Sequence, residues 1–233
     1  MKTGTRYQVG VVVNTQRKTK RERNLEIDKF ELYRPYAFYT VILIAMNAAA
    51  VYSGGVSFLQ TAVLFLVGLL IWGLYEYAVH RWVLHRVPGA NGIDLPGNRT
   101  HLKHHADPLS LERLNVQLSE SLPVSVVYCL VAWAATGSWQ SMTYLYTGLM
   151  AGYFFYEFLD FQAHHGMSRN RVIRYYRKYH LMHHHYDAKV RYGVTSPLFD
   201  YIFGTYHTTK AAKPRRAVQP RREMQSPAAI QKA

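Results

Sequence analysis

Eleven of the twelve histidines fall in four tight groups. His80 and His85 form the first, and His101, His104 and His105 the second. His164 and His165, preceded by Asp160, form the third, and His180, His183, His184 and His185 the fourth. Neutral imidazole is a common ligand for iron, zinc and copper, and a carboxylate suits harder ions. On a helix, residues three and four apart share a face. His101, His104 and His105 meet that condition, as do His180, His183 and His184, and Asp160 and His164 are four apart. His80 and His85 are five apart, about 140 degrees around an ideal helix. A helix end or kink must turn His85 if both are to face one point.

Protonated histidines brought together would repel, and a bound cation removes that cost. Asp160 with nine histidines makes ten candidate ligands, whereas one zinc takes four and one iron at most six. The count points to two metal ions. Soluble di-iron bundles use Glu-x-x-His pairs and mostly carboxylates, and no Glu-x-x-His occurs here. His207 stands alone and reads as an ordinary surface or hydrogen-bonded residue.

The elements that carry these residues are legible in the charges. The chain has 233 residues, with 28 Lys+Arg against 14 Asp+Glu, a formal charge of +14. All the basic residues lie outside two windows, 35–79 and 114–168. Each window is long enough for two membrane-crossing helices, because about 20 apolar residues span the hydrocarbon. Ser53-Gly54-Gly55 and Gly137-Ser138 are turn signals that divide them. Spans are expected near 36–53, 57–79, 122–137 and 140–159. Asn47, Gln60 and Glu76 interrupt the apolar runs, as expected of helices that pack on one another and give polar groups partners.

The two short turns carry no charge, whereas the arm before 35, the 80–121 loop, the 165–207 segment and the tail are basic. The positive-inside bias puts both termini and both large loops in the cytoplasm. His80 follows the second span and His164 the fourth, so all four histidine groups arrive at one membrane face. The fold class is therefore an all-α integral membrane protein: four transmembrane helices in two hairpins, with a cytoplasmic histidine-rich helical cap holding a dimetal site. A basic arm covers 1–34, the membrane domain 35–207 and a basic tail 208–233.

A single cysteine, Cys129, excludes an internal disulfide framework and a thiolate zinc site. The first 35 residues are polar and basic, so no cleavable signal is expected. The positive charge could suit nucleic acid. With four spans, an anionic membrane surface is the partner expected for it, and no nucleic acid.

The order His-x4-His, His-x2-His-His, a third box and His-x2-His-His resembles the fatty acid hydroxylase / sterol desaturase superfamily. Glu76-Tyr77 before His80, Arg81 after it, Tyr192-Gly193-Val194-Thr195-Ser196-Pro197-Leu198-Phe199-Asp200 and Phe203-Gly204-Thr205 resemble its fatty acid 2-hydroxylase branch most. The resemblance runs from about residue 60 to 207. It implies an oxygen-dependent di-iron membrane enzyme with metal ligands His80, His85, His101, His104, His105, His164, His180, His183 and His184. Asp160 stands where the branch has the first histidine of His-x3-His, and it can still bind a hard ion. His165 and His185 fall beside the motif positions. No haem-binding His-Pro-Gly-Gly occurs, so a separate electron donor is expected, cytochrome b5-like or a ferredoxin with its reductase.

The expected activity is hydroxylation of a C–H bond in a fatty acyl chain or related lipid, with dioxygen as co-substrate and two iron ions. Zinc is an alternative occupant of a purified sample, because imidazole accepts both ions. Desaturation from the same site is the nearest alternative. A metal transporter is the alternative of another class, although the histidines cluster at one face and do not line the spans. The inner membrane is expected for a bacterial source and the endoplasmic reticulum for a eukaryotic one.

Overall fold

The computed structural model describes residues 29–86, 97–110 and 116–206. Much of the basic arm, His207 and the 208–233 tail lie outside the described residues. Those described contain helices and no strand: α1 (Lys29–Ser53), α2 (Phe58–Val79), a π-helical turn (His80–Leu84), α3 (Asn98–Ala106), α4 (Leu118–Thr136), α5 (Trp139–His164), α6 (Arg171–His185) and α7 (Leu198–Ile202).

The predicted turns separate the long helices. Gly54 and Gly55 take φ of 65° and 87° between α1 and α2, and Gly137 takes 61° between α4 and α5. Ser57 then caps α2 in a capping box with Gln60, and Ser138 caps α5 through the Ser141 amide.

Among the described residues, three segments are long and apolar enough to cross a membrane: Tyr33–Ser53, Phe58–Leu84 and Leu118–Thr136. Their leucines, valines and isoleucines, such as Ile44, Leu66, Leu70, Val127 and Val131, face outward. Outward apolar side chains on helices that cannot hide them from water are the pattern of a lipid-facing surface. The fourth long helix, α5, differs in being the centre of the bundle. It packs on α1, α2, α4 and α6 and contributes Tyr146, Leu149, Met150 and Tyr153 to a core completed by Tyr39 and Trp72.

The contact between α2 and α5 is backbone on backbone. A Cβ added to Gly68 would lie 2.1 Å from the Leu145 carbonyl oxygen, and one added to Gly148 would lie 2.0 Å from that of Phe65. Small residues let membrane helices approach this closely, and Gly148 and Gly152 form a Gly-x3-Gly pair. The polar residues inside the apolar runs have partners. Asn47 donates to Thr147 on α5 at 2.8 Å, and Gln60 closes its capping box. Glu76 accepts from the Trp72 indole at 3.0 Å.

Candidate metal centre

All ten candidate ligands meet at one end of the bundle, in two groups of five. His80, His85, His101, His105 and His183 form the first, and His104, Asp160, His164, His180 and His184 the second. Within each group one potential ligand atom per residue lies within 4.8 Å of all the others.

The π-helical turn resolves the five-residue spacing of the first pair. The His85 amide bonds the His80 carbonyl at 3.2 Å, an i→i+5 bond. The turn brings the two rings onto one side, with their Nε2 atoms 3.2 Å apart. Such one-turn π segments are frequent at functional sites. Asn98 holds the turn's far end, donating to the carbonyls of Val83, Leu84 and Arg86.

The two His-x2-His-His boxes are used in opposite senses. On α3, His101 and His105, four apart, serve the first group and His104 the second. On α6, His180 and His184, four apart, serve the second group and His183 the first. Adjacent side chains diverge by about 100 degrees around a helix, so each helix reaches both groups. The His105 and His184 rings stack at 3.9 Å where the groups adjoin.

In the first group the Nε2 atoms converge. His80 and His101 are 3.0 Å apart, His85 and His101 3.1 Å, His101 and His105 3.1 Å, and His85 and His183 2.9 Å. Nδ1 of His80 donates to the Tyr192 carbonyl at 2.5 Å, and Nδ1 of His183 to that of Val190 at 2.7 Å. Because a carbonyl only accepts, the hydrogen sits on Nδ1 and Nε2 is a bare lone pair in both rings. Nε2 of His85 therefore faces bare nitrogens, and one hydrogen cannot satisfy all its neighbours. Nitrogens about 2.1 Å from one ion and at right angles around it would be about 3.0 Å apart, which matches these separations.

The second group has the same character with one carboxylate. Asp160 Oδ1 approaches Nε2 of His180 at 2.8 Å and of His164 at 3.5 Å, and Oδ2 approaches Nε2 of His104 at 3.7 Å. None is aligned as a hydrogen bond, and Asp160 Oδ1 and the Nε2 atoms of His104, His164, His180 and His184 are buried without hydrogen-bond partners. Buried polar atoms are ordinarily paired, so a set of convergent unpaired donors fits a bound cation.

Burial, with neighbouring imidazoles adding to it, pushes His85 down to about 4 and His105 to about 3, and holds His101, His183 and His184 well below the ordinary imidazole range. At neutral pH these rings are uncharged, the form that binds metal. His165 stacks on Phe161 and His185 is exposed; neither joins a group.

A cavity of about 240 Å³ reaches both groups, touching His80 and His101 of the first and His104 and Asp160 of the second. Its walls come from α1, α2, α4 and α5 and include Tyr39, Trp72, Val124, Leu149, Met150 and Tyr153. The spacing of the histidines gives no hint of this space. The Gly-x3-Gly pair was the available signal for the close α2–α5 packing beside it.

The family model for fatty acid hydroxylase matches residues 65–205. The chain belongs to the fatty acid hydroxylase family. Within it, the chain is 29% identical to dihydroceramide fatty acyl 2-hydroxylase FAH1 of Arabidopsis thaliana, over 69% of this chain and 68% of that protein. It is 29% identical to the human fatty acid 2-hydroxylase over 67% of this chain. It is also 29% identical to the ceramide very long chain fatty acid hydroxylase SCS7 of Saccharomyces cerevisiae over 71%. The chain spans less than half the length of these last two. The solved structure of scs7p, with only its hydroxylase domain visible, superposes with a TM-score of 0.65 at 26% identity, covering 77% of this chain and 68% of that one. With three apolar helices of membrane-crossing length, this family member is a multi-pass membrane protein.

Proposed function

We propose that the protein is an oxygen-dependent lipid hydroxylase that converts a C–H bond of a fatty acyl chain, or a related lipid, to an alcohol. Dioxygen is the co-substrate, and a separate cytochrome b5-like protein or ferredoxin supplies electrons. Two iron ions are held by the two five-residue groups. Bound there, iron supplies the oxygen activation and C–H cleavage that side chains alone cannot perform.

The observation that carries this reading is an apolar cavity lying against both ligand groups at once. A lipid chain drawn from the bilayer between α1, α2, α4 and α5 would meet the metal groups at the end of that cavity. The chain's own residues bind and orient it. Trp72, Leu149 and Met150 offer apolar contact, and the wall hydroxyls of Tyr39, Ser121 and Ser125 have partners. Tyr39 donates to Ser121 at 3.0 Å, and Ser125 bonds Tyr146 at 2.5 Å.

In the membrane, α5 is the fourth span, paired with α4 as α1 is with α2. The π-helical turn, α3 and α6 form a cytoplasmic cap, within a membrane domain covering 35–207. Support comes from the charges. Arg81, Arg99, Lys103, Arg171 and Arg174 lie on the elements that carry the histidines, while the turns at 53–57 and 137–138 are uncharged. Gathering of the histidines at one end also favours an enzyme over a transporter, whose ligands would line a path through the spans.

The test is expression with a compatible electron donor in an aerated, lipid-producing host, beside His183→Ala, with total lipids read by mass spectrometry. Acyl chains one oxygen heavier are expected from the intact protein only, and not without oxygen. Chains two hydrogens lighter would make it a desaturase, and unchanged lipids would sink the enzyme reading.

A further inference from the structure

The carbonyls that orient His80 and His183 belong to one short strap, residues 190–195, between α6 and α7. Two buried carboxylates clamp this strap from different helices. Glu76 on α2 accepts from the Val194 amide, the Thr195 amide at 3.0 Å, the Thr195 hydroxyl and the Trp72 indole. Asp200 on α7 accepts from the Tyr192 amide at 2.9 Å and the Thr205 hydroxyl at 2.7 Å on one oxygen, and from the Gly193 amide at 2.8 Å on the other. Each carboxylate uses both oxygens.

The backbone between them is tightly specified. Arg191 lies in the left-handed region with φ 61°, a strain that persists only where surrounding contacts over-determine it. A Cβ on Gly193 would sit 2.1 Å from the Ser196 carbonyl oxygen. Both ring-orienting carbonyls of the strap serve the all-histidine group. In the second group, Nδ1 of His104, His180 and His184 has no hydrogen-bond partner.

We infer that Glu76 and Asp200 are positioning residues for the all-histidine group: by clamping the strap they keep the hydrogens of His80 and His183 on Nδ1 and their Nε2 lone pairs directed at the metal. The inference rests on the two-ion reading above. It makes the groups unequal, because the first depends on the strap and the second does not. Orienting a ligand histidine through its distal nitrogen typically contributes 10–100-fold in metal affinity.

Glu76→Gln and Asp200→Asn test it, because each amide keeps the shape but replaces one acceptor oxygen with a donor. The full chain in detergent is loaded with Co(II). Equivalents are counted by chelator competition, and visible absorption reports which environment is occupied. The wild type is expected to hold two equivalents. Each variant should hold one as tightly and the other about 10–100-fold more weakly, with loss of the all-nitrogen spectrum. His164→Ala should remove the complementary spectrum. If either amide variant fails to accumulate, Thr195→Val removes a single strap donor to Glu76 and should weaken the same equivalent. Variants that keep both equivalents at wild-type affinity, or weaken both alike as a loosened scaffold would, overturn the inference alone. A wild type that binds no ion overturns the two-ion reading and this inference with it.

Discussion

Nε2 of His85 lies within 3.2 Å of the same atom in His80, His101 and His183, and burial holds its ring uncharged. These two facts belong together. Cations could not be packed so closely, and neutral rings packed this way offer lone pairs to one point. The protonation balance has a direct consequence for stability. His85, pushed down to about 4, and His105, to about 3, bind protons more readily when unfolded, where imidazole titrates near 6.5. The unfolded state therefore gains protons first as pH falls. The stability of the metal-free protein should decline from about pH 6.5 downward, through the range set by those two folded values, and level off only below it. Thermal unfolding of metal-free protein in detergent across pH 3–8 measures this, and a flat profile between 6.5 and 4 would contradict it.

Helices determine which of these atoms can meet. The i,i+4 pairs of α3 and α6 each serve one group, while the third histidine of each box crosses to the other. The π-helical turn supplies with an i→i+5 bond what an α-helix supplies at i+4. The helix ends stay in register because α2 and α5 are locked at Gly68 and Gly148, where any Cβ would strike backbone. A methyl group there cannot be absorbed by a moving side chain. Gly148→Ala is expected to destabilise by about 1–3 kcal/mol, the range of core overpacking, and to lower metal retention because α2 runs directly into the π-helical turn that carries His80 and α5 carries Asp160 and His164. A thermal unfolding midpoint in detergent, with metal content measured on the same sample, checks both effects. An unchanged midpoint would show that the helices can separate without cost.

At the scale of the molecule, a lipid-facing bundle carries its chemistry at one end. If that end is cytoplasmic, the 53–57 turn lies on the opposite side of the membrane. In a Cys129→Ala background, Ser53→Cys should react with an impermeant maleimide added outside intact cells, and Arg169→Cys only after permeabilisation. The reverse pattern would invert the topology. Much of this was legible in the sequence. The long helices follow from apolar runs bounded by glycine turns, and a gathering of the histidine boxes at one end follows from their position after the apolar runs, because helical period and span length are local properties. The pairing of His101 with His105 but of His104 with His184 was not legible. Residues adjacent in sequence point about 100 degrees apart, and only the placement of neighbouring helices says what each meets. Glu76 and Asp200 stood out as part of a resemblance, but their task was hidden. The Glu76 bond to Val194 joins residues 118 positions apart, and no local pattern encodes a contact made by the packing of two distant segments.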